Sequence, residues 1–476
     1  MSSLSIDQSP EILVLGAGPA GLAAAITASR HGASTLLIGE QAAPGGQVYR
    51  ALEDVVRLRQ NDTKILGKDY LTGAELIGEF RASHCRYVAG ATVWNIDPSE
   101  KRVFASVGQG STIFSPRKII LATGALERPL PFPGWTLPGV FTAGAAQITL
   151  KSAGHVPSGK VVLFGSGPLL LLVASQLSQA GVSDITLLET TSVRDYMKAA
   201  PFLPGALRKA DYLRKGLQMR RRLKQTGVRI FSGVRTIKAI GNNHVSRVDF
   251  ETSDQSCSIE ADTLFFHAGV IPNTQITRLV GAAHEWSDIQ TAWKPSLTRW
   301  GETSRPGVFV AGDGGGIEGA EVAALTGKIS ALEALHQLGH ITESVRNKTA
   351  RPLHRQCQAH RPLRRFLDTL YPAPLDLLKD PPSETIICRC WEVTAGAIKS
   401  SAARGCDTAD EVKSALRCGM GPCQGRMCGS SVQTLIAAAR NTELSSIEGF
   451  NIRAPLKPLR LADLATLEDA ACQDAE

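Results

Sequence analysis

Apolar runs separated by glycine-rich turns predict a strand–turn–helix–strand unit at the start of the chain. Residues 12–15 are continuously apolar, residues 19–31 are rich in alanine, and residues 34–38 are apolar again. Short apolar runs bounded by turn residues are typical of buried strands, and a longer alanine-rich segment is typical of a helix. The pattern therefore predicts two buried strands joined by a helix.

Three glycines and one acid occupy the positions in this unit that a dinucleotide requires. Gly16, Gly18 and Gly21 lie between the first strand and the helix, and Glu40 follows the second strand. The glycines permit a tight turn, close approach of the backbone to a pyrophosphate, and close helix–strand packing. The helix N-terminus favours phosphate, and Glu40 is placed to accept hydrogen bonds from a ribose. The unit predicts a site for FAD or another adenine nucleotide.

A second copy of the pattern begins near residue 160. A buried strand, a glycine turn with Gly165 and Gly167, a helix, and a strand ending at Glu189 repeat the first unit. Two such units predict that one nucleotide-binding domain is inserted in another. Leu170 stands where the third glycine would be, and its side chain forces the helix away from the strand. A working NAD(P) site and a retained fold with an empty or repurposed site both stay open.

A later segment returns the chain to the first unit. Residues 307–313 form a short apolar run that ends in Gly-Asp, and a helix is predicted to start near Glu318. The carboxylate at this junction, Asp313, can hold a sugar hydroxyl beside a helix N-terminus that faces phosphate. It can equally serve as a helix cap.

Composition and charge place the chain among globular proteins. Hydrophobic residues make up 43% of the 476 residues and charged residues 20%, which excludes a disordered chain. The N-terminus has no basic stretch followed by an apolar core, and no uninterrupted apolar run is long enough to span a membrane. We therefore expect a cytoplasmic protein without a transmembrane segment.

The net charge of +8 is partly concentrated in residues 208–229. Leucines recur there with an approximately helical spacing, which predicts a surface helix with a solvated basic face. A docking face for an acidic partner subunit or for a nucleotide phosphate is the alternative. Because no interleaved aromatic residues accompany the charge, nucleic acid is not an expected partner.

Four cysteines near the C-terminus form two close pairs. Cys388 and Cys390 are separated by one residue, and 32 residues lie between this pair and the pair Cys423 and Cys428 in Gly-Met-Gly-Pro-Cys-Gln-Gly-Arg-Met-Cys. Four converging thiolates can hold an iron–sulfur cluster. Paired zinc ligands usually have two to four residues between them, which disfavours zinc without excluding it or free thiols. Cys418 is a candidate substitute ligand.

The N-terminal part resembles flavoproteins with two dinucleotide-binding domains, the class that includes thioredoxin reductase. Besides the first glycine motif, the resemblance rests on residues 44–50, 121–124 and 310–313. It implies FAD in the first site, the Gly-Gly-Gln loop beside the flavin, and Asp313 on the ribityl chain. The cofactor-binding positions that it adds are Gly46, Gln47, Arg50, Thr123 and Gly124. The region has no Cys-x-x-Cys pair, so a disulfide reductase is excluded.

The cysteine segment resembles the small helical [2Fe–2S] domain of bacterioferritin-associated ferredoxins. This resemblance implies that the cluster ligands are Cys388, Cys390, Cys423 and Cys428.

Nearly the whole chain resembles the larger (A or α) subunit of bacterial opine oxidases, on residues 121–134 and the Gly-Met-Gly-Pro-Cys segment. Related families are the α subunits of dye-linked D-hydroxyproline and proline dehydrogenases and a subunit of hydrogen cyanide synthase. The resemblance implies that a catalytic flavoprotein β (B) subunit oxidises the amine and that this chain receives the electrons. A quinone or a soluble carrier would then accept them. An FMN at a subunit interface and a peripheral position at the inner membrane stay open.

The expected fold is therefore α/β, with two Rossmann-like domains and a small helical [2Fe–2S] domain. The predicted order is an FAD domain at 10–150 and 275–345, an inserted domain at 155–272, a linker at 346–384, the cluster domain at 385–450 and a tail at 451–476. The expected function is oxidative cleavage of an opine such as octopine or nopaline to arginine and a keto acid. The alternatives are (hydroxy)proline dehydrogenation, cyanide synthesis, an NAD(P)H-dependent flavin reductase, and a non-catalytic electron-transfer or assembly subunit. No catalytic acid–base pair is recognised, and His155 and His267 are interpreted as structural.

Overall fold

The structure, a computed structural model, describes residues 7–473, with side chains described as far as residue 467. The strands are β1 Ile12–Leu15, β2 Thr35–Gly39, β3 Arg86–Ala89, β4 Thr92–Asp97, β5 Arg102–Val107, β6 Gly110–Phe114, β7 Lys118–Leu121, β8 Ala125–Glu127, β9 Val140–Thr142, β10 Val161–Gly165, β11 Ile185–Glu189, β12 Arg229–Ser232, β13 Thr236–Ile240, β14 Arg247–Glu251, β15 Ser256–Glu260, β16 Thr263–His267, β17 Val270–Pro272, β18 His284–Ser287, β19 Ala292–Pro295, β20 Val308–Val310, β21 Ile386–Cys388 and β22 Val393–Thr394.

The α-helices are α1 Pro19–Arg30, α2 Leu52–Leu58, α3 Asp62–Leu66, α4 Lys68–Leu71, α5 Gly73–Arg81, α6 Ala143–Ala153, α7 Pro168–Gln179, α8 Val193–Ala199, α9 Leu203–Ala206, α10 Ala210–Gln225, α11 Gln275–Leu279, α12 Ala320–Leu338, α13 Glu343–Leu370, α14 Asp376–Lys379, α15 Ala395–Ala403, α16 Ala409–Leu416, α17 Gly429–Arg440 and α18 Leu461–Gln473. Single 3₁₀ turns occur at Ala200–Phe202, Leu207–Lys209, Gly312–Gly315 and Leu444–Ser446.

The first parallel sheet carries the first nucleotide-binding unit. Its strand order is β20-β7-β1-β2-β3, and every pairing in it is parallel. The central strands are buried, which explains why they occur in the sequence as continuous apolar runs. Helices α1 and α12 pack against each other over one core. The predicted α/β fold, with strands at 12–15 and 34–38 and a helix from Pro19, is confirmed, and the second strand is observed one residue later, at Thr35–Gly39.

The second parallel sheet repeats this architecture, with the order β12-β11-β10-β16-β9. Strand β9 pairs with β16, and Ala143 and Ala146 of α6 belong to the same core. The structure therefore begins the inserted domain before residue 155, the predicted boundary. A strand of three residues is too short to show a periodic pattern, so the sequence gives no sign of it.

Two short strands connect the nucleotide-binding domains. β8 leaves the first domain directly after Gly124, β17 returns to it, and the two pair antiparallel. Buried Arg128, next to β8, donates hydrogen bonds to the carbonyl oxygens of Gln290 and Thr291 in the β18–β19 hairpin. These hydrogen bonds hold the connection between the two domains against the first domain.

Most of the segment at 346–384, predicted as a linker, is helical. Helix α13 begins after Thr342, whose hydroxyl accepts a hydrogen bond from the Val345 amide, and it runs on through two prolines. Its side chains at positions 363, 366 and 370 form a small core with residues 199 and 206 of the inserted domain. Proline inside a helix removes a backbone hydrogen bond, so the two prolines disfavour a helix here. Tertiary packing stabilises α13 nevertheless.

The C-terminal domain is a β21–β22 hairpin with three helices. Thr394 and Thr408 accept hydrogen bonds from the first turns of α15 and α16, and Glu411 completes a capping box with Thr408. The apolar faces of the helices surround three buried cysteines. The predicted small helical cluster domain is confirmed.

The tail returns to the first domain. The Leu456 amide donates to the Trp94 carbonyl, and the Ser111 amide donates to the Thr466 hydroxyl. In the part of the chain that the structure describes, no helix is long and apolar enough to cross a membrane.

Candidate functional site

A large cleft lies between the two nucleotide-binding domains. It has a volume of about 2250 Å³ and is lined by both glycine turns, by α10 and by a loop of the cluster domain. Pockets for one drug-sized ligand usually measure about 300–1,000 Å³. The cleft is therefore large enough for a dinucleotide and for a further group beside it.

The first glycine turn has the geometry that its sequence predicts. Gly16 has φ +107°, and a Cβ on it would lie 2.4 Å from the Ala122 carbonyl oxygen. A Cβ on Gly21 would lie 1.8 Å from the Gly16 oxygen, so the helix can pack closely only without a side chain there. A Cβ on Gly18 would meet no atom closer than 4.0 Å, and Gly18 lines the cleft. Gly18 is thus the position where backbone is exposed for a pyrophosphate to approach.

The Gly-Gly-Gln loop lies directly against this turn. The Gly45 amide donates to the Ala17 carbonyl, and a Cβ on Gly46 would lie 2.7 Å from the Gly18 Cα. Gly46 and Gln47 line the cleft, whereas Arg50 does not. The Arg50 guanidinium instead donates to Ser152 and to the Gln47 side chain. Arg50 therefore stabilises the loop from the side that faces away from the cleft.

Lys151 is a buried residue at this loop that the sequence analysis missed. Its ammonium group donates to the carbonyl oxygens of Gln47 and Val48 and to the Gln147 side chain. Burial lowers the pKa of Lys151 to about 8. Because α6 and the loop lie far apart in the sequence, no local motif could have indicated this contact.

The remaining residues predicted for the first site also reach the cleft. Glu40, Thr123, Gly124 and Asp313 all line it. Glu40 is half-exposed and forms an ion pair with Lys457 of the tail. One oxygen of Asp313 accepts from the amides of residues 318 and 319, which precede α12, so Asp313 holds the turn in front of the helix and does not cap the helix itself.

The second glycine turn is less open. Gly165 has φ +130°, its Cβ would lie 1.8 Å from the His267 carbonyl oxygen, and it does not line the cleft. Gly167 does line it. Leu170, in place of the third glycine, is buried in the core of the inserted domain.

The acid of the second unit is already bound by the protein. Glu189 is 5% exposed and does not line the cleft. Its carboxylate lies 2.7 Å from the Arg220 guanidinium of α10 and accepts a hydrogen bond from Ser232. A nucleotide ribose would have to displace a buried ion pair to reach it. The helix predicted for the basic segment is confirmed as α10. One of its arginines, Arg220, occupies the carboxylate that the second unit would offer to a ribose.

His267 is paired, although the sequence analysis interpreted it as a lone structural histidine. Its Nδ1 lies 2.6 Å from the Glu127 carboxylate, which also accepts from the Gly144 amide. Both side chains line the cleft between the two glycine turns. The pair joins β8, β16 and the start of α6 at the connection between the domains.

The four predicted cluster ligands lie near one another as a row of thiols. Cys388 contacts Cys428, Cys428 contacts Cys423, and Cys423 contacts Cys390. Cys388 and Cys428 are buried, and Cys390 is exposed. The donor set consists of sulfur alone, at the edge of a small apolar core, which fits a [2Fe–2S] cluster close to the surface.

Cys418 lies beside Cys388 and Cys428 as a fifth thiol. The sulfur atoms of Cys388, Cys418 and Cys428 lie within 4.8 Å of one another, and all three residues are buried. Hydrogen bonds from Cys418 and Cys428 lower the pKa of Cys388. Among the described residues, this group contains two of the predicted ligands and the candidate substitute, whereas Cys390 and Cys423 lie outside it.

The cluster domain also reaches the cleft. Pro422 and Arg426, on either side of Cys423, line it together with Leu456 and Lys457 of the tail. The Arg426 guanidinium donates to the carbonyl oxygens of Cys423 and Leu456. One arginine therefore connects the cluster loop, the tail and the cleft that contains the first glycine turn.

Two family models match the chain. The model described as pyridine nucleotide-disulphide oxidoreductase matches residues 10–327, and the BFD-like [2Fe-2S] binding domain matches residues 386–438. The first site therefore binds FAD, and the C-terminal domain binds a [2Fe–2S] cluster.

Curated relatives cover almost the whole chain. The opine oxidase A subunit of Rhizobium meliloti is 40% identical over 97% of this chain and 88% of its own length. The corresponding opine oxidase protein of Agrobacterium tumefaciens (strain Ach5) is 38% identical over 97% and 92%. The HcnB subunit of hydrogen cyanide synthase from Pseudomonas protegens is 33% identical over 94% and 96%.

Solved structures show the same fold. L-proline dehydrogenase from P. horikoshii is similar over 96% of this chain and 79% of that chain, with a TM-score of 0.68 and 20% identity. T. acidophilum thioredoxin reductase is similar over 70% and 99%, with a TM-score of 0.51 and 19% identity.

Proposed function

Because this chain belongs to the pyridine nucleotide-disulphide oxidoreductase family and, over nearly its whole length, to the opine oxidase A subunits, we propose that it is the electron-accepting subunit of a heteromeric opine dehydrogenase. It is a flavin-dependent oxidoreductase subunit with FAD and a [2Fe–2S] cluster. The amine is oxidised on a partner flavoprotein subunit, and this chain passes the electrons to a quinone or a soluble carrier.

The proposed reaction is the oxidation of a CH–NH group. Two electrons and two protons leave the secondary amine of an opine, and a C=N bond forms. Water adds to this imine, and the C–N bond breaks to give an amino acid such as arginine and a keto acid. When bound, FAD supplies a two-electron carrier and the [2Fe–2S] cluster a one-electron carrier between the amine and the acceptor.

The residues of the first glycine turn are proposed to hold FAD. Gly18 offers exposed backbone to the pyrophosphate, and Glu40, freed from Lys457, accepts from the ribose. Gly46 and Gln47 border the flavin, and Asp313 accepts from the ribityl hydroxyls with the carboxylate oxygen that does not bind the amides of residues 318 and 319. Lys151 keeps this loop in place through its hydrogen bonds to the Gln47 and Val48 carbonyls.

One observation supports electron transfer within the chain above all others. The loop that carries Cys423 contributes Pro422 and Arg426 to the cleft that Gly16 and Gly18 also line. We propose Cys388, Cys390, Cys423 and Cys428 as the cluster ligands. With this set, the ligand Cys423 lies between two residues of the flavin cleft.

A self-sufficient NAD(P)H-dependent flavin reductase is the second candidate, and Gly167 in the cleft favours it. The ion pair between Arg220 and Glu189 opposes it, because a buried carboxylate with a bound guanidinium is not available to a ribose.

Anaerobic titration separates these functions. The isolated chain with its two cofactors is mixed with NADH, and the flavin absorbance is followed; we expect no bleaching. The complex with the partner flavoprotein subunit is then mixed with octopine or nopaline, and we expect bleaching with release of arginine. Bleaching of the isolated chain by NADH favours the reductase, and failure of every opine to reduce the complex excludes the proposed substrate class.

A pair of variants tests the proposed route. In the complex, the variants Cys423→Ser and Cys257→Ser should both allow the opine to bleach the flavin. Only Cys423→Ser should stop the reduction of an external one-electron acceptor, because Cys257 lies on β15 of the inserted domain and is not one of the proposed ligands. Equal rates in the two variants would contradict the route through the cluster.

A further inference from the structure

The basic segment of the inserted domain folds into a helical lobe that the proposed reaction does not use. The lobe comprises residues 193–225, from α8 to α10. Its inner side is packed, because Ala199 and Ala206 share a core with α13 and Leu223 lies in the core of the inserted domain. The lobe is therefore held in place by side chains other than those on its outer side.

The outer side of the lobe exposes large hydrophobic side chains. Among the described residues, 18 large hydrophobic side chains are exposed, and seven of them belong to this lobe. The seven are Val193, Tyr196, Met197, Leu203, Leu207, Tyr212 and Leu217. Met197 is 68% exposed and Leu217 is 60% exposed. Single exposed hydrophobic residues are normal on a protein surface, whereas a concentration of them marks a site that another molecule covers.

The same lobe carries an excess of positive charge. It contains ten basic and two acidic residues. Four of the basic side chains form ion pairs, among them Arg220 with Glu189. In the part of the chain that the structure describes, the other six are exposed and have no ion-pair partner: Arg194, Lys198, Arg208, Arg221, Arg222 and Lys224. A molecule that fits this surface therefore presents carboxylates around an apolar centre.

This surface continues from the cleft onto the outside of the protein. Leu207, Leu217 and Arg221 line the cleft, whereas Met197 and Lys198 do not. A cofactor bound inside the cleft would therefore cover only part of the surface. Stable protein complexes bury about 20–30 residues on each side, and a lobe of this length is on that scale.

We propose that the lobe is the docking surface for the partner flavoprotein subunit, which covers the exposed hydrophobic side chains and presents acidic groups to the unpaired basic ones. The inference rests on the proposed function, in which electrons enter this chain from that subunit. Because the lobe and the first glycine turn line the same cleft, a subunit docked on the lobe lies next to the FAD site.

The test measures binding of the complete chain, loaded with its cofactors, to the purified partner flavoprotein subunit. Association and dissociation rates are recorded by surface plasmon resonance at ionic strengths of about 0.1 and 1 M, where charges are screened beyond about 10 and 3 Å. Leu217→Ser removes an exposed hydrophobic side chain, and Arg208→Glu combined with Arg221→Glu reverses two unpaired charges. Leu461→Ser and Lys238→Glu are the matched controls, because Leu461 is 83% exposed on α18 and Lys238 is exposed on β13, both outside the lobe.

The two kinds of variant should act on different rates. We expect Leu217→Ser to raise the dissociation rate about 10-fold or more at both ionic strengths, because it removes short-range apolar contact. The double charge reversal should lower the association rate about 10-fold or more at the lower ionic strength and much less at the higher one. Both controls should bind as the wild type does. Should Leu217→Ser not fold, Met197→Gln, at a side chain that is still more exposed, gives the same reading.

Several outcomes would overturn the docking surface. Wild-type binding by both lobe variants overturns it, and the proposed function stands if an opine still reduces the complex. A dimer of the isolated chain that Leu217→Ser dissociates, measured by light scattering, also overturns it, because the lobe would then bind a second copy. Failure of every opine to reduce a complex that both lobe variants weaken overturns the proposed function and supports the docking surface. A wild-type chain that does not bind the subunit overturns both.

Discussion

The Gly18→Ala substitution separates cofactor binding from folding. Gly18 has φ −79° and ψ −175°, which any residue adopts, and a Cβ there has no neighbour closer than 4.0 Å. Replacing glycine in such a conformation leaves stability unchanged or raises it by about 0.4–1 kcal/mol. The added methyl group projects into the cleft. Crowding of about 1–3 kcal/mol there corresponds to FAD binding that is roughly 5- to 150-fold weaker.

Gly21→Ala is the matched comparison. Its Cβ would lie 1.8 Å from the Gly16 carbonyl oxygen, so the helix must move and the protein itself is destabilised. FAD affinity is measured by flavin fluorescence during titration of the apoprotein, and stability by urea unfolding of the same apoprotein. Wild-type affinity in Gly18→Ala, or a loss of stability in it as large as in Gly21→Ala, would refute the assignment of Gly18 to the pyrophosphate.

Three further predictions concern a buried ion pair, the buried lysine and the cluster. Arg346→Met leaves the buried Glu333 carboxylate without its partner and should lower the free energy of unfolding by roughly 3–5 kcal/mol, measured in urea. With a pKa of about 8, folded Lys151 loses its proton before the unfolded chain does. Between about pH 8 and 10.4 the free energy of unfolding of the wild type should therefore rise by up to about 1.4 kcal/mol per pH unit. This rise is measured relative to Lys151→Met, by denaturation at several pH values. Cys423→Ser should lose iron and sulfide and keep its FAD, measured by metal analysis and the flavin-to-protein ratio.

Each of these predictions has a control. Arg57→Met, which breaks an exposed pair with Asp54, should cost less than about 1 kcal/mol. If Lys151→Met follows the same pH curve as the wild type, Lys151 is not the titrating group. Loss of FAD in Cys423→Ser would indicate that the cluster mainly supports the fold.

Local features of the sequence indicate the first glycine turn. Gly16 has a positive φ, and a Cβ on Gly21 would lie 1.8 Å from the Gly16 carbonyl oxygen, so these two glycines meet constraints of the turn itself, whereas Gly18 meets none within the protein. The pairs of cysteines could be read for the same reason, since the small domain is encoded within one short segment.

Contacts between distant segments could not be read from the sequence. Arg220 reaches Glu189 across two elements, and Lys151 supports a loop about a hundred residues earlier. The prolines at 352 and 362 led to the prediction of a linker where the structure has α13, because this helix is stabilised by packing and not by its own helix propensity. Cys418 was recognised as close in sequence to the ligands, but only the fold shows which sulfurs it contacts.

The most direct test of the account follows the cluster itself. The two-subunit complex is prepared without oxygen, and the EPR signal of the reduced [2Fe–2S] cluster is recorded after addition of an opine or of NADH. The signal should appear with the opine and not with NADH. A signal that appears in the isolated chain with NADH alone would contradict it.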